Sequence, residues 1–474
     1  MTTKVNDQSD AVQAMQPCWD MVDALMGGTA ALRLKGEAYL PKWPQEDQKS
    51  YDYRLKTSTL FNAFERTVTN MAGKPFSEPL QWSKIDAPVE AWFDDIDLCG
   101  RNLHVFAQDV FEAAIRYGVT HILVDYPRTR ALDGTNQAAT LADERKMGAR
   151  PYAVHIKPSS ILGWKSDKVK GVETLTQLRI METIEKPDGE FGSIMVDQVR
   201  VLVPGGYSIY QENKELKTWV AVEEGATSLD FIPLITLYTK RTGFMTGRPP
   251  LFDLAELNIK HWQSSSDQDS ILHTARVPIL AISGVSDEDK IVVGAKTALM
   301  LPQGATAEYV EHTGAAIDAG RNSLKDLEEQ MRAMGAELLI VRTGDETATR
   351  AAIDTAQAQC QLSAMAQALE DALDQMLDMM AKWAGMKEQG DIDVFDDFAS
   401  ITVDAATIGP FVAALVLMVN SGLMSQETAF DEMKRYGVVN PDLTWEAEQE
   451  RIAQSMPMIL PSAIPKPAPN PVEE

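Results

Sequence analysis

The chain has 474 residues, 45% of them hydrophobic, which is enough to bury a real core and to build two to four structural units. Acids outnumber bases 69 to 44, a formal net charge of -25. That balance argues against tight binding of nucleic acid over a broad surface, which needs clustered Lys and Arg, though an acidic surface could still line a passage to which DNA must not stick.

The three cysteines, Cys18, Cys99 and Cys360, lie too far apart for zinc or redox spacing and are expected to be reduced thiols. The polar start MTTKVNDQSD lacks the apolar stretch of a signal peptide. The longest apolar run, Phe411 to Val419, falls far short of the roughly 20 residues that span a bilayer. The expectation is a chain made and assembled in the cytoplasm, with no membrane partner.

Residues 11–36 read as a short helix and a loop, followed by an irregular stretch around Tyr39-Leu40-Pro41-Lys42-Trp43-Pro44. Leu60, Phe64, Val68 and Met71 form one apolar stripe and predict a helix over 51–71, ended by Gly73 and Pro75. A second helix is expected over 103–117. Gly118 then leads into a short buried strand at His121-Ile122-Leu123-Val124. Residues 130–150 are small and polar, as in an exposed loop. Segments 153–163, 172–185, 194–203 and 217–223 are rich in Val, Ile, Thr and Leu, with turn chemistry at Pro187-Asp188-Gly189 and Pro204-Gly205-Gly206. They predict an antiparallel sheet of four or five strands. Residues 231–237 add one more strand.

Pro249-Pro250 suits the first turn of a helix, here expected over 251–274. Leu254, Leu257 and Trp262 are apolar, but residues 263–270 are polar on all sides. That pattern suggests a helix whose middle meets solvent or other polar chains. Residues 276–312 form a small unit of short strands and turns, clearest at 291–294 and 298–302. A helix over 315–335 carries Leu324, Leu327, Met331 and Met334 at coiled-coil-like spacing. After a break at 341–345, the apolar period predicts one uninterrupted helix from Ala348 to Ala384, roughly 55 Å long. A strand over 391–398 and helices near 405–421, 425–436 and 444–455 follow. The Pro-rich tail from Met456 is expected to be disordered or extended.

Catalytic signatures are sparse. Gly294-Ala295-Lys296-Thr297 lacks the spacing of a phosphate-binding loop, and there is neither a Gly-x-Ser-x-Gly elbow nor a His-Glu-x-x-His pair. The six histidines are scattered. Asp391, Asp393, Asp396 and Asp397 lack the glycine of a calcium loop, and alternation with Ile392 and Val394 explains them as a strand. No cofactor, metal or catalytic residue is expected. A hydrolase with an acidic metal site would have to use Asp125, Asp391 and Asp393.

The order of elements resembles the portal (head-to-tail connector) family of tailed bacteriophages, in a branch known only as an uncharacterised domain. Local wording is similar too: Tyr39-Leu40-Pro41-Lys42, residues 120–127 (THILVDYP), residues 161–164 (ILGW), residues 250–258 (PLFDLAELN) and residues 422–428 (GLMSQET). The resemblance implies an α+β, predominantly helical fold. Its parts would be a wing (1–248, with its antiparallel sheet over 151–240), a first stem helix (249–275), a clip (276–312), a second stem helix (313–336), a tunnel loop (337–348), a long wing helix and strand (349–398), a helical crown (399–455) and the tail (456–474).

It also implies a homo-oligomeric ring of about twelve subunits at one capsid vertex. The ring would surround a channel for double-stranded DNA during packaging and ejection. Its partners would be the terminase motor, the major capsid and scaffolding proteins, and head-tail adaptor proteins. Arg342, Thr343, Asp345, Thr347, Thr349 and Arg350 would lie near DNA; Arg342 and Arg350 equally suit ordinary ion pairs. Leu324, Leu327, Met331 and Met334 would pack between subunits, and Asp287, Lys290, Lys296 and Gln303 would dock partners at the clip. Another virion component, from capsid or tail, is the main alternative.

Overall fold

The computed structural model describes residues 4–127, 148–213, 217–275, 279–283, 306–310, 315–336, 360–387, 389–396, 398, 405–435, 438–439 and 443–455. The chain forms two compact units, Met1–Asp396 and Asp397–Glu474. The first begins with α1 (Asp10–Met26), α2 (Gly28–Lys35), α3 (Gln48–Thr57) and α4 (Ala63–Gly73). Then come β1 (Gln81–Trp82), α5 (Ala87–Glu90), α6 (Leu103–Tyr117), β2 (Val119–Asp125) and β3 (Tyr152–Ile156). Next are β4 (Ile161–Val169), β5 (Val172–Asp188), β6 (Gly192–Val203), β7 (Gly206–Asn213), β8 (Thr218–Ala226), β9 (Leu234–Tyr238), β10 (Arg241–Gly243) and β11 (Thr246–Gly247). The unit ends with α7 (Phe252–Ala275), β12 (Ile279–Ser283), β13 (Thr306–Val310), α8 (Ala315–Ala336), α9 (Gln361–Trp383) and β14 (Ile392–Asp393). The second holds α10 (Ala405–Asn420), α11 (Gln426–Arg435) and α12 (Trp445–Ser455). The class is α+β, as expected.

The expected helix over 51–71 is two helices. Ser58 adopts extended geometry, and the Asn62 side chain accepts from Glu65 N to cap α4. Leu60 falls in the break yet stays buried, so the apolar stripe survives the interruption. The helix over 103–117 forms as predicted. Asn102 caps its start by accepting from Val105 N at 2.9 Å, and Gly118 ends it in the left-handed region at φ 82°.

Helix α6 feeds β2, the middle strand of a three-stranded antiparallel sheet ordered β3-β2-β9. Val119, Ile122, Leu123 and Val124 are buried there, each stabilising the fold by about 1.5–3 kcal/mol. Helices α6 and α9 pack against this sheet. At its mouth Gly118 meets the segment entering α7. A Cβ on Gly118 would lie 2.1 Å from Arg248 O, and one on Gly247 would lie 2.6 Å from Gly118 O. Only glycine at both places lets the two backbones cross.

Between β3 and β9 the chain builds a five-stranded antiparallel meander, β4-β5-β6-β7-β8. The expected 153–163 strand is divided by a turn at Pro158–Ser160 between β3 and β4, and the strand over 206–213 joins the set. A side-chain bond joins the two sheets: Arg200 on β6 donates to Asp125 on β2 at 2.6 Å, and within the meander Arg200 also pairs with Glu182 on β5 at 2.9 Å. The polar line continues from Gln198 to Glu182, Gln211 to Gln198 and Lys186 to Gln211.

Helix α9 begins at Gln361, not at Ala348. Cys360 has extended backbone geometry and its sulfur accepts from Ser363 N, so it ends the helix as a cap. The described helix has 23 residues, roughly 35 Å. Leu362, Met365, Leu369, Leu373, Met376 and Met380 are buried along one face, as the period predicts. The expected strand over 391–398 shrinks to Ile392–Asp393, paired with Gln81–Trp82.

In the second unit, Ser425 caps α11 by accepting from Thr428 N, Thr444 caps α12, and Phe430 packs on Trp445 at 5.3 Å between ring centres.

Candidate functional site

Helices α7 and α8 are the elements that the resemblance names as stem. They pack side by side and run antiparallel: Gln268 meets Ile317, while His261 lies near Glu328. Strands β12 and β13 pair antiparallel beyond the end of α7, with Ile279 opposite Val310 and Ser283 opposite Thr306. The result is a helical hairpin that leads into a β ribbon. Helix α7, of 24 residues, is about 36 Å long.

The base of the hairpin is held by polar pegs within an apolar setting. Asn258 is fully buried; its Oδ1 accepts from Phe64 N at 2.9 Å and its Nδ2 donates to Phe61 O at 2.8 Å. It therefore satisfies backbone groups at the start of α4. Trp262 is fully buried, and Leu254 and Ala255 beside it are buried as well. Gln263 donates to Tyr39 O at 2.7 Å. That contact reaches the Tyr39-Leu40-Pro41-Lys42 stretch, which Arg54 clamps. Arg54 makes two 2.8 Å bonds to Glu46, donates to Pro41 O and lies 4.3 Å over the Trp43 ring. Paired in this way, the buried Arg54 and Glu46 favour their charged forms: the Arg54 guanidinium bond holds the Glu46 carboxyl below its ordinary range.

Towards the ribbon the helix contact becomes polar and close. Gln268 donates to Ile317 O at 3.0 Å, and a Cβ on Gly320 would overlap the Gln268 amide. At the other end of α8, a Cβ on Gly335 would lie 3.0 Å from Thr67 Oγ1 on α4. The middle of α7 is thus not solvated on all sides. Ser266 and Gln268 are buried against their own chain, whereas Asp269 is exposed. His261 is buried 3.7 Å from Glu328, and burial lowers its pKa against the opposing pull of that carboxylate.

Of the seam residues, Leu327 and Met331 are buried within the one chain, and Leu324 and Met334 keep partial exposure. The DNA-proximal candidates Arg342, Thr343, Asp345, Thr347, Thr349 and Arg350 lie outside the described residues, as do the clip candidates Asp287, Lys290, Lys296 and Gln303. Of the three acids of the hydrolase reading, Asp391 and Asp393 share the segment around Ile392, while Asp125 sits on β2 with other partners. Asp125 is held by Arg200 and by the Tyr152 hydroxyl at 3.3 Å, while Asp391 is held by Lys84 at 2.6 Å and Ser83 at 2.8 Å. Among the described residues no group of three His, Cys, Asp or Glu side chains is placed to hold a metal ion, and no helix is long and apolar enough to cross a membrane. The Asn258 peg was not foreseen because its partners lie 194 and 197 residues away; the Arg54 clamp is local, but the irregular stretch around Pro41 and Pro44 carries no periodic signal that would pair Arg54 with Glu46.

Residues 250–384, the hairpin and the helix after it, match the model of a domain of unknown function (DUF4055). No curated protein matches the chain. Among solved structures, it is similar to a chain in the virion of a native gene transfer agent (GTA) particle, at 13% identity and TM-score 0.40, covering 85% of this chain and 97% of that one. It is also similar to chains in the neck of the empty GTA particle computed with C6 symmetry (10% identity, TM-score 0.39, 78% of this chain and 88% of that one) and the neck of the native particle computed with C12 symmetry (11%, 0.38, 77% and 87%). All three likenesses are distant.

Proposed function

We propose that the chain is a virion structural protein of the portal class: a subunit of a ring, of about twelve copies, at one capsid vertex. The ring encloses a channel for double-stranded DNA and offers a platform to the terminase motor, the capsid and scaffolding proteins and the head-tail adaptors. The observation that carries this reading is the antiparallel pair α7 and α8 leading into the β12–β13 ribbon and rooted at its other end on α4 and the 39–48 loop. A pair of helices fixed at one end and joined through a ribbon at the other is suited to project from a body and line up beside its copies in a closed ring.

The net charge of -25 agrees with a conduit that DNA must traverse without sticking, since phosphate contacts multiplied around a ring would hold it fast. Leu324 and Met334, half-exposed on α8, remain the candidates for contact between subunits. On this reading the chain has no catalytic role and needs no cofactor; DNA movement is powered by a separate motor. The test is mass by native mass spectrometry with negative-stain imaging of the purified protein. Rings of about twelve subunits with a central hole are expected. A monomer at every concentration, with no rings even beside a co-expressed scaffold, would overturn the reading.

A further inference from the structure

One face of α9 carries Ser363, Gln367, Glu370, Asp374 and Asp378, spaced four, three, four and four residues apart. Every one of them bonds the segment 389–396. Ser363 Oγ donates to Asp396 O and Gln367 Nε2 to Asp396 Oδ2, both at 2.7 Å. Glu370 accepts from Val394 N. Asp374 Oδ1 accepts from Asp391 N at 3.0 Å and Ile392 N at 2.8 Å, and Asp378 Oδ1 from Gln389 N at 2.7 Å. These side chains take the place of a neighbouring strand on that edge. The other edge meets β1 and the residues after it: Trp82 pairs with Ile392, Ser83 N donates to Asp391 O, and Gln389 exchanges bonds with Asp86.

These bonds hold like charges face to face. Glu370, Asp374 and Asp378 on the helix face a segment that carries Asp391, Asp393 and Asp396. The cation bound there, Lys84, is committed to Asp391. The other face of α9 is apolar, with Leu369, Leu373 and Met376 buried. The entry to the segment is also strained, since Gly390 and Asp391 stand at φ 141° and 146°, a region costly for a residue with a side chain.

We infer that segment 389–396 is an electrostatic latch, docked on α9 while its acidic array is partly protonated and loosened as the array ionises fully. Burial first, then Asp393, Asp374 and Asp396, push the Glu370 pKa up to about 7, and burial raises that of Asp374. Asp391 moves the other way, held low by Lys84, so its pairing persists across the range. The docked state therefore keeps on Glu370 a proton that the undocked state gives up near the ordinary glutamate value. Docking weakens as pH rises from about 4.5 through about 7. Undocking would release roughly 28 Å of extended chain immediately before the second unit.

The test is amide hydrogen exchange of the full chain, corrected for intrinsic rate, followed over 389–396 between pH 6 and pH 8. The expected result is about a tenfold loss of protection over that interval, with Glu370→Gln removing the pH dependence while α9 stays protected. If Glu370→Gln fails to fold, Asp393→Asn serves instead and is expected to move the loss to lower pH. Equal protection at pH 6 and pH 8 in the unmodified chain, or an unaltered pH profile in the variant that folds, would overturn the latch. Neither outcome depends on whether the protein forms rings.

Discussion

In the three-stranded sheet Val119, Ile122, Leu123 and Val124 are all buried, whereas in the five-stranded meander Val169, Val172, Val220 and Val222 stand exposed. Both sheets are antiparallel and rich in the same β-branched residues. The first is packed by α6 and α9 and carries the weight of the unit's core. The second is tied to it through the bond from Arg200 to Asp125. Strand propensity makes a ladder in either place, but burial decides how much stability the ladder adds.

The contrast breaks most sharply at two glycines that share a left-handed backbone. Gly118→Ala places a Cβ against Arg248 O, and we expect a loss on the order of 4 kcal/mol or more, or failure to fold. Gly189→Ala, in the turn between β5 and β6 with open space around it, should cost only about 1 kcal/mol of backbone strain. Urea midpoints followed by tryptophan fluorescence would separate them. Similar losses at both positions would mean that the crossing beside Arg248 is not the constraint.

A matched truncation comes next. Ile122→Ala should lose about 2–5 kcal/mol, as for other large-to-small changes in a core, while Val222→Ala on the meander should stay within about 0.5 kcal/mol.

A third difference between the sheets is set by acid. His121 is buried beside Thr236, and His155 is bonded to Thr120 at 2.8 Å. Burial lowers their pKa values to about 3 and about 4, with the neighbouring His155 adding to the shift at His121. The unfolded chain therefore takes up protons first, and stability falls as pH drops from about 6.5 through these values. By pH 5 the loss is about 2 kcal/mol per histidine. The meander contains no histidine and lacks this term. His155→Asn should flatten the acid limb of a stability-against-pH curve; an unchanged limb would assign the loss to carboxylates.

What could be read from the sequence follows from how local each signal is. Helix α6 was legible at both ends because Asn102 and Gly118 cap it within one turn. The two helices α7 and α8 were legible from Pro249-Pro250 and the apolar spacing, but the ribbon pairs Ile279–Ser283 with Thr306–Val310, while the strands expected at 291–294 and 298–302 lie outside the described residues. The break at Ser58–Asn62 was hidden because Leu60 keeps the apolar stripe in phase across it. The start of α9 was hidden because the residue that caps it is a cysteine, which carries no strong capping signal. The strand over 391–398 was overread because its alternation is real, while the N–H groups of Asp391, Ile392 and Val394 go to carboxylates on a helix and not to a neighbouring strand. Gln268 fell in a run expected to meet solvent or other polar chains, since a polar side chain in a helix does not announce a carbonyl waiting on another element.

The glycine crossing also bears on the order of events as the chain emerges during synthesis. Gly118 appears early, but Gly247 follows only after the whole meander has been made, so α7 cannot be seated until then. Waiting for so long a stretch carries little entropic penalty, since each doubling of a closed loop adds only about 0.6 kcal/mol. The meander leaves the small sheet at Ile156 and returns at Leu234. It can therefore lengthen, shorten or be exchanged over generations while the crossing stays the same.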